Sequence, residues 1–426
     1  MQEFKFLNIT DNNYLQSIIS ACPTTPDLTN IEHSDWVEKT SNELMRICKN
    51  QENAKQLEDE LFSMDRELPA LFLLALKNCI SRFYIINLET KIRVSVVFAI
   101  YKEHERMLTK AEHPFGEDFI ARKISQMKWL FNNKTNIDWE LIIVDDGCPE
   151  NSGKKAEEII KNRNLPNVKV IYLQDAIDQK LEVVSPMQST SDSQKGGSIA
   201  YGMWHAAQEE TNNKHIIIFT DADLSTHLGQ TGLLLQPILS NSKKAAIASR
   251  REKQSVTIKQ GGRNDRGKLF IYLWKRMIPN LNYIIDTQCG FKAFDKDTLA
   301  EIVEDLLEKR FAFDIELLLK TELLESHSIE KVAIAWIDSE AASTTTDIQP
   351  YLPMLKSIAK MHEKYLPAKD MASSFIGFIQ SLSEDQFQYL LNHIPEEITK
   401  KEPVEFNNFN EISANHLKEI VDYEKN

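Results

Sequence analysis

The chain has 426 residues, of which 42% are hydrophobic, and can therefore bury a full-sized core plus additional modules. Its net charge of -13 argues against a general nucleic-acid binder and gives no overall attraction to anionic membranes. The cysteines are odd in number and lack CxxC spacing, which is typical of reduced thiols in a cytoplasmic protein. No secretory signal is visible at the N-terminus. The apolar stretch 68–80 is short and contains Lys77, so we expect a buried helix there and no transmembrane segment.

Residues 1–90 have helical periodicity and many acids but no catalytic motif. From residue 92 onward, β-branched runs alternate with helical stretches, which is typical of a mostly parallel sheet covered on both faces. After about residue 366, short amphipathic helices return. We therefore predict a helical N-terminal extension (1–90), an α/β domain (91–365) and a helical C-terminal extension (366–426). The predicted strands are 94–100, 141–145, 168–173, 216–220, 245–248 and 332–336, and the predicted helices of the α/β domain are 119–131, 153–163 and 195–207.

Acidic side chains follow three of these strands, at the sheet edge where α/β proteins bind ligands. Asp221 and Asp223, at i and i+2, could hold Mg²⁺ or Mn²⁺ against a diphosphate, because both ions prefer hard oxygen ligands. The alternative for this pair is a solvated turn. Asp145 and Asp146 could accept hydrogen bonds from a nucleoside, or could serve turn and helix capping, since Asp-Gly is a common turn pair.

The segment 243–276 is strongly basic within an acidic chain, with Glu252 and Asp265 as its two acids. Such a concentration favours an anion-binding wall for a diphosphate or a phosphorylated acceptor. Arg250, which follows a strand, and Arg263 and Arg266, beside a Gly-Gly pair, are the best placed for that role. The alternative is a solvated helix face, which we expect for Lys275 and Arg276.

Two further stretches place charged residues among apolar ones: DTQCGFKAF (286–294) and RFAFDIELLL (310–319). A carboxylate buried in such a run has a raised pKa, which suits a general base, and Asp314 is the candidate. The alternative is a helix N-cap at Asp314 with Glu316 in the first turn; the two interpretations are compatible.

Some residues give weaker signals. His227 could be an additional metal ligand, although a lone loop histidine is more often solvated. Trp204, Trp274 and Trp336 are more typical of a core, although Trp336 ends a strand and could face a sugar.

Taken together, the motifs resemble the inverting family 2 glycosyltransferases with the GT-A fold. The resemblance spans residues 92–340, and it is most specific for the branch that makes polyprenyl-phosphate sugars. The motifs that carry it are VVFAIYKE (96–103), IIVDDGCPENSG (142–153), KGGSIAYGM (195–203), FTDADLST (219–226), ASRRE (248–252), DTQCGFKAF (286–294) and RFAFDIELL (310–318).

This resemblance implies roles for individual residues. Asp221 and Asp223 would bind a divalent cation, Mg²⁺ or Mn²⁺, with Asp221 also associated with the diphosphate, and Asp314 would be the catalytic base. The implied donor-binding residues are Tyr101, Glu103, Asp145, Asp146, Lys195, Gly196, Arg250, Arg263, Arg266, Gln288 and Lys292. Ser225 stands where relatives often have a glutamine that helps to bind the metal, so the third protein ligand is unassigned.

The implied activity is inverting, metal-dependent transfer of a sugar from a nucleotide-diphosphate sugar, UDP-linked, to a hydroxyl or phosphate acceptor. The acceptor could be a polyprenyl phosphate or a glycan or protein hydroxyl, and peripheral membrane contact is compatible with the basic segment. One alternative is a scaffold or effector that keeps a GT-A core and acts through its helical flanks. A second is a nucleotidyltransferase, but the GxGxR signature of that class is absent after the first strand.

Overall fold

Strands occupy the middle of the chain and helices both ends in this computed structural model, which describes residues 13–64, 67–259, 264–338, 350–367, 370–407 and 411–422. The strands are β1 (Ile92–Ile100), β2 (Ile137–Asp145), β3 (Val168–Tyr172), β4 (Lys214–Thr220), β5 (Ala245–Ser249), β6 (Val256–Ile258), β7 (Phe291–Asp295), β8 (Ile329–Ala333) and β9 (Ala335–Ile337). The α-helices are α1 (Asn13–Ser20), α2 (Ile31–Cys48), α3 (Gln51–Ser63), α4 (Ala70–Asn87), α5 (Phe119–Leu130), α6 (Ser152–Asn162), α7 (Leu173–Asp178), α8 (Gly196–Ala207), α9 (Thr231–Ser240), α10 (Asn264–Met277), α11 (Lys296–Ile302), α12 (Phe313–Leu324), α13 (Tyr351–Tyr365), α14 (Asp370–Ser381), α15 (Glu384–Asn392), α16 (Glu396–Thr399) and α17 (Ala414–Asp422).

Seven strands form one sheet in the order β3-β2-β1-β4-β7-β5-β8. All neighbours in it are parallel except β7, which runs antiparallel to both β4 and β5. A separate parallel pair joins β6 to β9. The predicted α/β class, a mostly parallel mixed sheet of the GT-A type with additional helices at both ends, is confirmed.

The observed strands differ from the predicted ones in three places. The run 332–336, predicted as one strand, is divided between β8 and β9, which belong to different sheets. The strands β6 and β7 were not predicted. The sequence of β7, FKAFD, has Lys292 in second place and ends in an aspartate. All five of its residues are nevertheless buried.

Helices cover both faces of the sheet, and alternation along β1 separates the two layers. Val94, Val96 and Phe98 join the core beneath the N-terminal helices, α5 and α9. Val97 joins the opposite core, beneath α8, α10, α12 and the C-terminal helices. The N-terminal helices therefore share a core with the sheet. The domain boundaries proposed at residues 90 and 365 stay predictions.

Helix α4 is the buried helix expected around residues 68–80, but it is longer than the apolar stretch suggested. It has 18 residues and is long and apolar enough to cross a membrane, with 78% of that window buried inside the fold. Lys77 is 2% exposed, and its ammonium lies 2.8 Å from Oε1 of Glu58 on α3. A buried ion pair within the protein accommodates this charge.

The basic face of α10 contradicts one expectation. Lys275 and Arg276 were expected on a solvated face, but both are buried. The ammonium of Lys275 donates to Oδ1 of Asn407 at 2.9 Å, and Arg276 donates to the carbonyl of Phe406. Because buried cations require partners, these side chains anchor the C-terminal extension instead of binding a ligand.

Candidate active site

The topology brings the carboxyl ends of several strands to one edge of the sheet. Strands β2, β1 and β4 are parallel neighbours, with Ile100 opposite Asp145. The antiparallel β7 starts at this same edge, where Phe291 lies opposite Thr220. The residues that follow β1, β2 and β4, and those that precede β7, consequently surround a single site.

After β1, a network of buried charged side chains includes Glu103, which was predicted to lie at the nucleoside end of the site. Tyr101 is 48% exposed, whereas Glu103 is buried and accepts a hydrogen bond from Nη1 of Arg106 at 2.7 Å. Arg106 also forms a two-point contact with Glu117, at 2.9 and 3.0 Å. Burial raises the pKa of Glu103 to about 7, against the opposing effect of Arg106 and with help from the Asp223 carboxylate.

The two aspartates after β2 are engaged with backbone and side-chain donors of the protein. Asp145 accepts from the amides of Gly147 and Cys148, both at 3.1 Å, and from that of Gly153 at 2.8 Å. Asp146 accepts from the hydroxyl of Ser198 at 2.6 Å and from the backbone amide of Lys195 at 3.0 Å. These contacts favour the capping alternative, and donor binding by either aspartate stays a prediction.

Lys195 precedes α8 with an unusual backbone. Its φ of 82° lies in the region that favours glycine, and such strain costs about 1–3 kcal/mol unless the surroundings impose it. The next residue must be glycine, because a Cβ on Gly196 would lie 2.3 Å from the carbonyl oxygen of Arg310. The side chain of Lys195 reaches across the site and forms an ion pair with Oδ1 of Asp221.

Asp221 and Asp223 follow β4 on either side of Ala222, and each is contacted by a lysine side chain. Lys123 on α5 is fully buried, and its ammonium donates to the backbone carbonyl of Asp223 at 2.8 Å. Burial raises the pKa of Asp223, and the neighbouring Asp221 carboxylate raises it further. Burial alone would raise the pKa of Asp221 as well, but the Lys195 ammonium outweighs it and lowers that pKa.

The residues present fit a divalent cation that completes its coordination with other ligands. Two carboxylates that repel each other at a strand end supply hard oxygen donors. Across the described ranges, no group of three or more His, Cys, Asp or Glu side chains could hold a metal ion. The remaining coordination positions would therefore be filled by water and phosphate oxygens. Gly290 allows this packing, since a Cβ there would lie 2.2 Å from Oδ2 of Asp221.

Asp314 lies in the first turn of α12, but it is not the N-cap, which is Ala312. Its Oδ2 accepts from the ammonium of Lys292 at 3.0 Å, and its buried Oδ1 has no partner in the part of the chain that the structure describes. Burial raises the pKa of Asp314, against the opposing effect of Lys292 and Lys195. Its role as the base stays a prediction that this environment suits.

Lys292 is fully buried and also donates to the carbonyl of Cys289 at 2.7 Å, so its contacts do not favour the predicted donor role. Glu316 is in the first turn, as expected, and accepts from the amides of Leu307 at 2.7 Å and Glu308 at 2.8 Å. It thereby holds the loop that precedes α12.

Arg250 is held by Asp286 through two parallel hydrogen bonds, at 2.8 Å from Nε and 2.7 Å from Nη2. The guanidinium also lies 5.2 Å from the ring of Trp336. Burial would raise the pKa of Asp286, but Arg250 lowers it to about 2. This pair presents an oriented cation at the site, whereas Trp336 faces Arg250.

The remaining predicted residues are Arg263, Arg266 and Gln288. Arg263 lies outside the described residues, and Arg266, half-buried, is near the start of α10. The side-chain nitrogen of Gln288 is buried with no partner among the residues described. The hydroxyl of Ser225 is likewise buried without a partner there, while its backbone amide donates to Oδ1 of Asp223 at 3.0 Å.

His227 is not the solvated loop residue that was expected. It is 4% exposed, and its Nδ1 accepts from the amide of Gly229 at 3.0 Å. Burial lowers its pKa to about 3, and the nearby Arg122 and Lys123 lower it further. Its contacts indicate a structural cap behind the aspartates.

Sequence reasoning missed Arg106, Glu117 and Lys123. Lys123 lies in a helical run, ARKISQMKW, where a lysine is ordinarily solvated. One signal was available: the apolar residues Phe119, Ile120, Ile124 and Met127 leave little room for an exposed position at 123.

Comparisons with known proteins agree with the motifs. The model of the family described as glycosyl transferase family 2 matches residues 117–303. Among curated proteins, the dolichyl-phosphate beta-glucosyltransferase of Homo sapiens is 25% identical over 285 residues, which is 64% of this chain and 76% of that protein. The enzyme of the same name from Saccharomyces cerevisiae is 24% identical over 292 residues, covering 65% of this chain and 76% of that protein.

Solved structures that match include glucosyl-3-phosphoglycerate synthase from Mycobacterium tuberculosis in complex with uridine-diphosphate. It is 14% identical, covers 68% of this chain and 86% of that chain, and gives a TM-score of 0.44. A likeness at this level carries no argument about ligands.

The family model, the curated relatives and the ordered motifs define the class of the protein. Residues 117–303 match the glycosyl transferase family 2 model, and together with the curated relatives they support a glycosyltransferase, as the sequence resemblance predicted.

Proposed function

We propose that this chain transfers a sugar, with inversion, from a UDP-linked donor to a hydroxyl or phosphate acceptor in a reaction that depends on a divalent cation. The observation that supports it best is the convergence of Asp221, Asp223 and Asp314 with Lys195 and Arg250 at one sheet edge. Carboxylates for a metal and cations for a diphosphate are the two requirements of such a donor site.

Asp221 and Asp223 would hold Mg²⁺ or Mn²⁺. When bound, the cation neutralises the charge that grows on the departing nucleoside diphosphate. Arg250 contributes a fixed cation, because Asp286 sets the plane of its guanidinium. A cation that is already oriented needs no rearrangement during the reaction, which is the advantage of a preorganised site.

Asp314 is proposed to act on the acceptor. Its free Oδ1 can accept the proton of an acceptor hydroxyl, and its raised pKa makes it a stronger base than an exposed aspartate. A phosphate acceptor is already anionic, and with it Asp314 would orient more than deprotonate. The names of the curated relatives favour a dolichyl-phosphate type of acceptor for this chain.

Isothermal titration of the wild-type protein with UDP and with GDP, each with Mn²⁺, tests the donor site. We expect UDP to bind in the presence of Mn²⁺ and Asp223→Ala to abolish the metal-dependent part of that binding with the fold intact. Asp178→Ala removes the same charge at an exposed position of α7 and should bind like wild type. Failure of both nucleotides to bind wild type, or retained metal-dependent binding by Asp223→Ala, would contradict the proposal.

Turnover separates an enzyme from a scaffold with the same fold. We expect slow hydrolysis of UDP-sugars from a panel of nucleotide sugars, and this hydrolysis should require Mn²⁺. No hydrolysis of any nucleotide sugar in the panel, together with tight binding of protein partners, would instead favour the scaffold alternative.

A further inference from the structure

Three lysines are distributed among the three aspartates of the site. Lys123 contacts the backbone of Asp223, Lys292 contacts the carboxylate of Asp314, and Lys195 contacts the carboxylate of Asp221. The ligand-free site is therefore nearly neutral before any metal arrives.

The three lysines differ in their freedom to move. Lys123 and Lys292 are fully buried, and each donates to a backbone carbonyl, at 2.8 and 2.7 Å. The side chain of Lys195 is 35% exposed, and that of Asp221 is 32% exposed. Within the described ranges, the Lys195 ammonium has no hydrogen-bond partner besides Asp221. Lys195 is thus the one of these three lysines that can leave its carboxylate without losing a second contact.

The backbone of Lys195 explains why its side chain points to Asp221. The residue adopts a left-handed φ, its amide donates to Asp146 at 3.0 Å, and its carbonyl accepts from Ile199 at 2.9 Å. The following Gly196 packs against the Arg310 carbonyl. These contacts fix the base of the side chain, whereas the ammonium is partly exposed and is hydrogen-bonded by Asp221 alone among the described residues. A conformation this unfavourable for a lysine persists only because the surroundings impose it.

The net charge of the site determines which ligand can replace the Lys195 ammonium at Asp221. A divalent cation alone must displace Lys195 from Asp221 and would leave the site with excess positive charge beside Lys123 and Lys292. A divalent cation that arrives with a diphosphate brings its own counter-charge, and the released ammonium gains an anion as a new partner. Entry of the pair is therefore favoured over entry of the metal alone.

We propose that Lys195 is a displaceable internal cation that occupies Asp221 in the ligand-free enzyme, so that the divalent cation binds well only together with the nucleoside diphosphate. This inference rests on the proposed function, since it requires a divalent-cation site at Asp221. It assigns Lys195 a role in coupling two ligands, in addition to any contact it makes with the donor.

Titration with Mn²⁺ in the absence of nucleotide, followed by electron paramagnetic resonance of free Mn²⁺, tests the proposal. Lys195→Gln should bind Mn²⁺ at least about threefold more tightly than wild type, because a competing ion pair of modest strength is removed. Lys195→Arg keeps a competing cation and should resemble wild type. A structural defect would weaken binding, so the expected gain in affinity separates the proposal from simple damage.

A second variant controls for the general loss of positive charge. Lys128→Gln removes a charge from exposed Lys128 on α5. It should leave the Mn²⁺ affinity close to that of wild type. An equal gain in Lys128→Gln would overturn the proposal, because it would indicate a long-range effect of net charge. Lys195→Met serves as a repeat of the test if Lys195→Gln proves unstable by thermal denaturation.

The coupling itself provides the decisive readout. In wild type, UDP should strengthen Mn²⁺ binding, and by linkage Mn²⁺ should strengthen UDP binding by the same factor. In Lys195→Gln this factor should fall, since Mn²⁺ no longer has a competitor to displace. If wild type binds Mn²⁺ with UDP but Lys195→Gln shows neither tighter Mn²⁺ binding nor reduced coupling, the role of Lys195 is refuted. If wild type binds no Mn²⁺ with UDP, the proposed function fails instead.

Discussion

Buried charges at this site occur in pairs, and the pairing decides what each residue can do. Asp286 is paired with Arg250, and Oδ2 of Asp314 is paired with Lys292. The other oxygen of Asp314, Oδ1, has no partner among the described residues. An ionised group in a low-dielectric site must be paired or hydrogen-bonded, so each pair is also a structural requirement. The sequence motifs indicated Asp286, Lys292 and Asp314 as site residues. They could not indicate the pairs, because a pair depends on the fold that brings distant segments together.

Asp314→Asn tests the proposed base. The amide keeps the size of the side chain but cannot accept a proton, so with a hydroxyl acceptor kcat should fall by about 10²–10⁴-fold. With a phosphate acceptor, which needs no deprotonation, the fall should be under about tenfold. Steady-state kinetics with each acceptor class measures the effect, and the KM for the donor should be nearly unchanged. An unchanged kcat with a hydroxyl acceptor would remove Asp314 from the role of base.

His227 makes the stability of the fold sensitive to acid. Its folded-state pKa of about 3 lies below its ordinary value of 6.5 because the ring is buried. Between these values the unfolded chain binds a proton that the folded chain does not. Stability therefore falls as the pH drops from 6.5 toward 3, by about 1.4 kcal/mol per pH unit for this group.

His227→Asn isolates that effect. Asparagine is a good N-cap and can still accept from Gly229, but it does not titrate. Urea denaturation between pH 6.5 and 4 gives the slope of the unfolding free energy against pH. This slope should be smaller in the variant by up to about 1.4 kcal/mol per pH unit, which corresponds to one bound proton. His416→Asn, at an exposed position on α17, should keep the wild-type slope. Equal slopes in both variants would show that His227 is not the group responsible.

At the scale of elements, α4 packs against the segment that follows Asp221 and Asp223 and holds it by hydrogen bonds. Asn78 lies 3.3 Å from Nδ1 of His227, and the hydroxyl of Ser81 accepts from the amide of Gly232 at 2.9 Å. The close approach requires glycine, because a Cβ on Gly232 would lie 2.5 Å from the Ser81 carbonyl oxygen. The periodicity of residues 1–90 predicted helices but no function for them, because their role arises from contacts with residues some 150 positions away.

Gly232→Ala tests this support. The added methyl group must push α4 away from the loop or distort α9, and overpacking of this kind costs about 1–3 kcal/mol. Unfolding in urea should show that loss, and the affinity for UDP with Mn²⁺ should fall as well.

Gly377→Ala is the matched control. Gly377 lies within α14, and a Cβ there meets nothing within 4 Å. Alanine favours a helix over glycine, so this variant should be more stable by about 0.5–1 kcal/mol with unchanged nucleotide affinity. Equal stability changes in the two variants would contradict the packing argument for α4.

At the scale of the whole molecule, each of the two helical extensions shares a core with the sheet. The N-terminal helices share one core with the sheet, and the C-terminal helices share the other. The contact between α10 and the C-terminal extension is an apolar core with hydrogen bonds added to it: Tyr272 donates to the Ile412 carbonyl at 2.5 Å, and Lys268 donates to that of Thr399 at 2.9 Å. The basic segment 243–276 therefore divides in two. Arg250 is paired with Asp286 at the candidate site, whereas Lys268, Lys275 and Arg276 contact the C-terminal extension.

That division explains which parts of the molecule were predictable. The alternation of strands and helices predicted a mostly parallel sheet but not the antiparallel strand β7, because such alternation depends on local apolar patterns. The lysines and arginines of 243–276 were compatible with an anion-binding wall or with a solvated face. The local sequence does not distinguish a cation that binds a ligand from one that donates to a backbone carbonyl. Asn407 and Phe406, which accept from Lys275 and Arg276, lie some 130 residues further along the chain, in a segment without a recognisable motif.

Lys275→Met tests whether these cations hold the C-terminal extension. Lys275 is 1% exposed, and burial lowers its pKa to about 7. Methionine fills a similar volume but leaves the Asn282 carbonyl and Oδ1 of Asn407 without their donor, which should cost about 1–3 kcal/mol. Hydrogen exchange should accelerate in residues 403–407 and 411–422 before it does in β1 or β4. Lys360→Met, at an exposed position on α13, should change neither stability nor exchange. Uniform acceleration across the sheet in Lys275→Met would instead mean that this contact supports the whole fold and not the C-terminal extension in particular.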